Sequence, residues 1–201
     1  MTTIERILTS DPESGMENNT WLVGDDSEVI VIDPAHNAHV VHDAIGDRRV
    51  AAILLTHGHW DHVRAAVGLG RKVDVQPRLR KPDEFLWRES HPTAPFTVLE
   101  DGDIFEAGGA RLVALATPGH TPGSTCFVED SLGVVFTGDT LFPGGPGATR
   151  WRYSNFATVI ESIRTVLFAL DDDTVVHPGH GDSTTIGSER PRLRDWIARG
   201  W

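Results

Sequence analysis

The apolar residues fall mainly into short runs bounded by Gly, Pro, Asp and Asn, with only a few helical stripes between them. Residues 19–24 and 28–33 are β-rich and flank Asp25, Asp26 and Ser27, which predicts a hairpin stopped by Asp33-Pro34. Residues 38–45 predict a helix ending near Gly46, and 50–56 a strand. A short helix is expected over 61–69, and strands over 97–99, 103–105, 111–117, 125–129, 133–137 and 174–177. Residues 155–170 place Phe156, Val159, Ile160, Ile163, Val166, Leu167 and Leu170 at helical spacing. A closing helix is expected over 188–199, with Pro191 in its first turn. The segment before Gly15 has weak periodicity and suits an edge strand and a loop. Residues 71–96 are the least legible: a strand over 72–76, then a basic, aromatic, Pro-punctuated stretch that is either a lid or a solvated connection.

Chemistry collects where the strands stop. The strand over 50–56 runs into His57-Gly-His59-Trp-Asp61-His62, where His57 and His59 fall on one face of an extended chain. Three further strands stop at His120, at Asp139 and at His180, each beside Gly or Pro. If these strands share a sheet edge, the side chains converge there. Neutral imidazoles and carboxylates are the donors of a borderline metal such as zinc. His36, His39 and His42 lie in or beside the first helix and read as solvated, and His177 as structural, facing away from His180.

Composition narrows the alternatives. The chain has 201 residues, enough for one sizeable domain spanning 1–201. Cys126 is the only cysteine, so an intrachain disulfide and a thiolate metal cage are both excluded. A formal charge of −11 opposes a phosphate backbone, so no nucleic-acid partner is expected. No apolar run suits a membrane span, and the N-terminus has no basic-then-apolar leader pattern, so the expected location is cytoplasmic and the expected partner a small molecule.

Taken together, Thr-His57-Gly-His59-Trp-Asp61-His62, Thr-Pro-Gly-His120-Thr-Pro-Gly-Ser, Thr-Gly-Asp139-Thr-Leu-Phe and Pro-Gly-His180-Gly resemble the motifs of the metallo-β-lactamase superfamily. The resemblance covers roughly residues 20–190. It implies an α/β fold, a four-layer αββα sandwich of two mixed sheets with outer helices and two divalent metals at one edge: zinc, with iron or manganese as alternatives. Carried over by position, His57, His59 and His120 would hold one metal, Asp61, His62 and His180 the other, and Asp139 would bridge them. Asp61 and Asp139 would thereby also serve catalysis, and Asp33 would orient a ligand from behind. Within the superfamily the chain is most similar to the short hydroxyacylglutathione hydrolase (second glyoxalase) branch. It departs from that branch after the bridging Asp, where Pro143 to Arg152 replace the usual Gly-Arg-Thr-Asp, and at Asp182. By Trp201 there is also no counterpart of the larger enzymes' C-terminal thiol-binding extension.

The expected reaction is hydrolysis by a hydroxide shared between the metals. A thiol leaves as thiolate without a proton donor, since its pKa is near ~8.5, whereas an amide nitrogen requires an acid that the motifs do not supply. A thioester of a low-molecular-weight thiol (glutathione, mycothiol or coenzyme A type) is therefore the expected substrate. Lactone hydrolysis and a mononuclear-iron persulfide dioxygenase on the same fold are the alternatives. Arg150, Trp151, Arg152 and Tyr153, close to Asp139, are candidate substrate contacts or else a surface segment leading into the next helix. Arg64 reads as solvated.

Overall fold

The computed structural model describes residues 1–200. The first sheet is built from β1 (Thr3–Ser10), β2 (Glu17–Gly24), β3 (Glu28–Ile32), α1 (Ala38–Ile45), β4 (Arg49–Leu54), α2 (Trp60–Val63), α3 (Ala66–Val73), β5 (Arg78–Leu79), α4 (Glu84–Ser90) and β6 (Thr97–Val98). Its six strands lie in chain order. The β1–β2 and β2–β3 pairs are antiparallel, and the pairs from β3 to β6 are parallel, each joined through a helical crossover. The second sheet uses β7 (Ile104–Ala107), β8 (Ala110–Ala116), β9 (Thr125–Glu129) and β10 (Val134–Gly138). A small hairpin follows, β11 (Leu141–Phe142) with β12 (Gly145–Pro146), and then α5 (Phe156–Thr165), β13 (Val175–Pro178), β14 (Thr184–Thr185), α6 (Ile186–Glu189) and α7 (Leu193–Arg199). The strand order β14-β13-β10-β9-β8-β7 puts β13 beside β10, parallel to it, across α5.

Four layers follow from strands that are apolar on both faces. In β3, Ile30 and Ile32 face the second sheet, while Val29 and Val31 face α1 and α3 with Val41, Ile45 and Leu69. In β9 and β10, Phe127, Val134 and Phe136 face inward against Trp21 and Leu54. Cys126, Val128 and Val135 face outward against Val159, Ile163 and Trp196 of α5 and α7. A strand with period-two apolar residues on both sides must be covered on both, and the helices provide the outer cover. The expected αββα sandwich is the architecture observed.

The edge strand and loop expected before Gly15 are present, as β1 over Thr3–Ser10 and the turn after it. Several other local expectations are corrected. The strand expected over 72–76 is instead the end of α3, closed by Asp74 in the left-handed region (φ 54°), and the strand there is only Arg78–Leu79. The helix expected over 61–69 is divided into α2 and α3; Arg64 at the break is exposed, as expected, and also pairs with Asp11 (2.6 Å). The helix expected over 155–170 stops at Thr165 and the closing helix is interrupted by a 3-10 turn at Arg190–Arg192, where Pro191 has no N–H to continue it. Among the described residues no helix is long and apolar enough to cross a membrane.

The two sheets are joined beside the future site by Asn19. Its Nδ2 donates to the carbonyls of Pro178 (3.0 Å) and Gly181 (2.9 Å), its Oδ1 accepts from Arg6, and its backbone N–H donates to Gly179 (2.7 Å). Trp21 Nε1 adds a bond to the Pro178 carbonyl, and His177 lies between Trp21 and Phe136, as its structural reading required. Removing this buried amide takes the side-chain donor from the Gly181 carbonyl and leaves the Pro178 carbonyl with Trp21 alone. Asn19→Ala is expected to cost about 2 kcal/mol, a Tm decrease of roughly 4–8 °C for a chain of this size, measured by thermal melts in excess chelator.

Candidate metal centre

The C-terminal ends of β3, β4, β8, β10 and β13 open on one edge of the sandwich, and the loops that leave them carry Asp33, His57 to His62, His120, Asp139 and His180. All of the residues expected at the metals are brought together. His59 Nδ1 lies 3.0 Å from both His57 Nε2 and His120 Nε2, so three ring nitrogens face one point. A second group gathers Asp61, His62 and His180, with Asp61 Oδ2 3.4 Å from His62 Nε2 and 3.2 Å from His180 Nε2. Asp139 stands between them: Oδ1 is 3.3 Å from His62 Nε2, and Oδ2 is 3.6 Å from His120 Nε2 and 3.7 Å from His180 Nε2.

What aims these nitrogens inward is the hydrogen bond at the other side of each ring. His57 Nδ1 donates to Thr56 Oγ1 (3.0 Å), which is free to accept because its own proton goes to Asp33 Oδ2 (2.6 Å). His62 Nδ1 donates to Asp33 Oδ2 (2.9 Å), His120 Nδ1 to the Ala148 carbonyl (2.8 Å), and His180 Nδ1 to the Glu17 carbonyl (2.7 Å). A neutral imidazole that donates from one nitrogen has a lone pair on the other. In their neutral forms these four rings present Nε2 lone pairs to the centre. His59 is turned the opposite way, with Nδ1 inward and Nε2 2.8 Å from the Tyr153 hydroxyl.

Burial, together with the neighbouring rings, holds His57 well below its usual pKa, and it lowers His59 to about 3. Burial lowers His120 too, against a partial opposing pull from Asp139. At the second group burial acts in the same direction, but Asp139 and Asp61 outweigh it and His62 is raised well above its ordinary value. His180 is raised as well, by Asp61 and Asp139 against burial. Asp139 is driven up by burial and down by His62, His120 and His180, with a net fall to about 2. One side of the centre thus offers neutral nitrogen donors, and the other attracts positive charge. Asp139 Oδ1 is buried with no hydrogen-bond partner. An orphan carboxylate oxygen among converging lone pairs fits a centre built for cations.

The centre forms the floor of a cavity of about 630 Å³. Its walls include Met16, Trp60, Leu86, Glu89, Phe142, Arg150, Trp151 and Tyr153. Of the four candidate substrate contacts, Arg150, Trp151 and Tyr153 line it, with Arg150 over the Trp151 ring (4.9 Å) and Trp151 against the His59 ring (4.5 Å). Arg152 is exposed and is not part of the wall. Residues 84–90, from the segment that was illegible, supply Leu86 and Glu89.

Asn18 had no motif to announce it. It is fully buried; its Nδ2 donates to Asp61 Oδ2 (3.1 Å) and lies within 3.4 Å of the His62 and His180 nitrogens, while its Oδ1 faces His36 Nε2 (2.7 Å). His36 is accordingly half-buried behind the centre rather than solvated; of the three early histidines, His39 is exposed and His42 half-buried. The one sequence signal was a pair of amides, Asn18-Asn19, opening an apolar strand.

Residues 15–180 match the family model of the metallo-beta-lactamase superfamily. The chain is 36% identical over 196 residues to the hydroxyacylglutathione hydrolase GloC of Haemophilus influenzae, covering 89% of this chain and 92% of that one. Its fold is similar to that of TTHA1623 in a di-iron-bound form (TM-score 0.80, 28% identity, 92% of this chain and 96% of that one). It is similar also to ETHE1 from Myxococcus xanthus (TM-score 0.75, 28% identity, 95% and 85%). With five histidines and two aspartates converging at the strand ends of an αββα sandwich, this chain belongs to the metallo-beta-lactamase superfamily as one of its metallo-hydrolases.

Proposed function

We propose that this protein hydrolyses a thioester of a low-molecular-weight thiol, using two divalent metals. The observation that carries the reading is the pair of donor groups joined by Asp139, at the floor of a cavity of small-molecule size. Besides the donors themselves, the ionisable residues on its wall are Glu89, Arg150 and Tyr153. Burial, with Glu89 and Asp83 nearby, holds the Tyr153 hydroxyl up at about 12, so it is a poor proton donor to a leaving amine. A thiolate leaves without one. The similarity to a hydroxyacylglutathione hydrolase supports the same reaction class.

In this reading His57, His59 and His120 would hold one metal, and Asp61, His62 and His180 the other. Asp139, within reach of both groups, would serve each, and Asp61 and Asp139 would be the carboxylates nearest the reacting atoms. The chemistry supplied there is Lewis acidity toward a carbonyl oxygen and, through acidified water, a nucleophile at neutral pH; zinc suits the donor set, with iron or manganese as alternatives. Asp33 and Thr56 keep two rings in the tautomer that binds. Tyr153 accepts the His59 Nε2 proton, which leaves its own hydroxyl hydrogen free to point into the cavity toward a substrate oxygen. Arg150 and Trp151 supply a cation and a flat apolar face for the carrier of the thiol.

Metal analysis of protein purified without chelator is expected to find two equivalents per chain, falling to one or fewer in Asp139→Ala; an unchanged count in the variant would refute the bridge. A panel of glutathione, mycothiol and coenzyme A thioesters, followed by thiol release, is expected to reveal at least one substrate whose turnover stops with chelator and returns with metal. Lactone turnover without thiol release would overturn the thioester assignment, and one iron per chain with oxygen uptake on glutathione persulfide would replace it. Tyr153→Phe removes the acceptor behind His59, and on the usual scale of such changes it should lower kcat/KM by about 10-fold or more.

A further inference from the structure

Asp83 is a fully buried carboxylate outside every motif, at the foot of α4. Its Oδ2 accepts from the Gly58 N–H (2.8 Å) and the Thr121 hydroxyl (2.7 Å), and its Oδ1 accepts from the Gly123 N–H (2.6 Å). Gly58 is the residue between His57 and His59, and Thr121 directly follows His120. A single carboxylate thus joins the backbones of the two loops that carry the first donor group. We infer that Asp83 is a positioning residue that sets the spacing of His57, His59 and His120, and with it the affinity of the metal they hold. The inference rests on the reading that this group binds a metal.

Two packing facts support it. A Cβ on Gly123 would lie 2.6 Å from Asp83 Cγ, and one on Gly58 would lie 2.8 Å from Leu86 Cβ and 3.0 Å from the Asp83 carbonyl. Both loops are therefore pressed against this turn closely enough to exclude any side chain. No lysine or arginine pairs with Asp83 among the described residues, so the buried charge is held by dipoles of the ligand loops alone. The same turn leads into α4, which carries Leu86 and Glu89 on the cavity wall. The cavity wall and the first donor group thus share one anchor.

Asp83→Asn keeps the size but places an amide N–H against a backbone N–H, whichever way it is turned. The test is titration of the metal-free protein with Co2+ in competition with a chromophoric chelator. In a His180→Ala background, which isolates the first group, adding Asp83→Asn is expected to weaken binding about 10–100-fold, the usual scale for a residue supporting a ligand. In a His57→Ala background the second group should keep its affinity. Val41→Ala, a cavity in the distant α1 layer, controls for lost stability and should move neither. If Asp83→Asn does not fold, Thr121→Val removes one of the three donors and should give the same selective loss at smaller size. A lowered Tm with both affinities unchanged would overturn the inference while leaving the metal reading intact. Wild-type protein that binds no Co2+ would overturn both.

Discussion

Asp33 accepts from the Thr56 N–H (2.8 Å), the Thr56 hydroxyl and His62 Nδ1, and much of the centre depends on this one buried carboxylate. It sits just past β3 with its backbone in the left-handed region (φ 49°), a conformation Asp tolerates better than most residues and one that returns the side chain toward β4. From there it fixes the loop after β4 through Thr56 and the helix α2 through His62. Because Thr56 spends its proton on Asp33, its oxygen can receive the proton of His57. One carboxylate therefore sets the tautomers of two rings, one in each donor group. The sheet pairing of β3 with β4 is what makes this possible, since it brings the two strand ends into register.

The legible part of the molecule was the part in which backbone pattern and chemistry coincide. Strands such as β4 and β10 are continuous apolar runs stopped by Gly or His, so both the element and the residue at its end could be read together. The residues read as metal ligands carry distinctive side chains, and the structure brings those seven together. The parts that were missed lack either property. Residues 66–73 contain Gly68 and Gly70, poor helix formers that hide α3, and packing of Leu69 on β3 and β4 overrides the propensity. The strands β5 and β6 are two residues long, too short for any periodicity, and depend on parallel neighbours far away in sequence. Asn18, Asp83 and the carbonyls of Glu17 and Ala148 act only through contacts across the fold. Nothing local marks an Asn or Asp as buried, so side chains that work from behind a ligand cannot be seen until the loops are closed.

The two donor groups differ in a way that the motifs do not convey. The first consists of imidazoles that burial keeps neutral, with a carboxylate shared from Asp139. The second combines two imidazoles with Asp61 and Asp139, and its rings retain protons because the carboxylates outweigh burial. A cation entering the second group displaces protons and is attracted by charge; one entering the first meets little more than lone pairs and the shared carboxylate. The first group is therefore the more dependent on geometry, because directional lone pairs lose overlap with small shifts while Coulomb attraction falls only gradually with distance.

That asymmetry bears on where substrate sits. Trp151 lies against the His59 and His120 rings, and Tyr153 is bonded to His59, so the aromatic wall belongs to the first group. Met16 and Phe142 flank the other side, with Phe142 stacked near His180. Apolar side chains thus flank the centre, and the charged groups of the wall outside it are Arg150 and Glu89. The floor of the cavity carries the superfamily's motifs, whereas Pro143 to Tyr153 and α4 depart from any motif, and it is there that selectivity among substrates must arise. Shape and charge on that wall, rather than the metal donors, distinguish one small molecule from another.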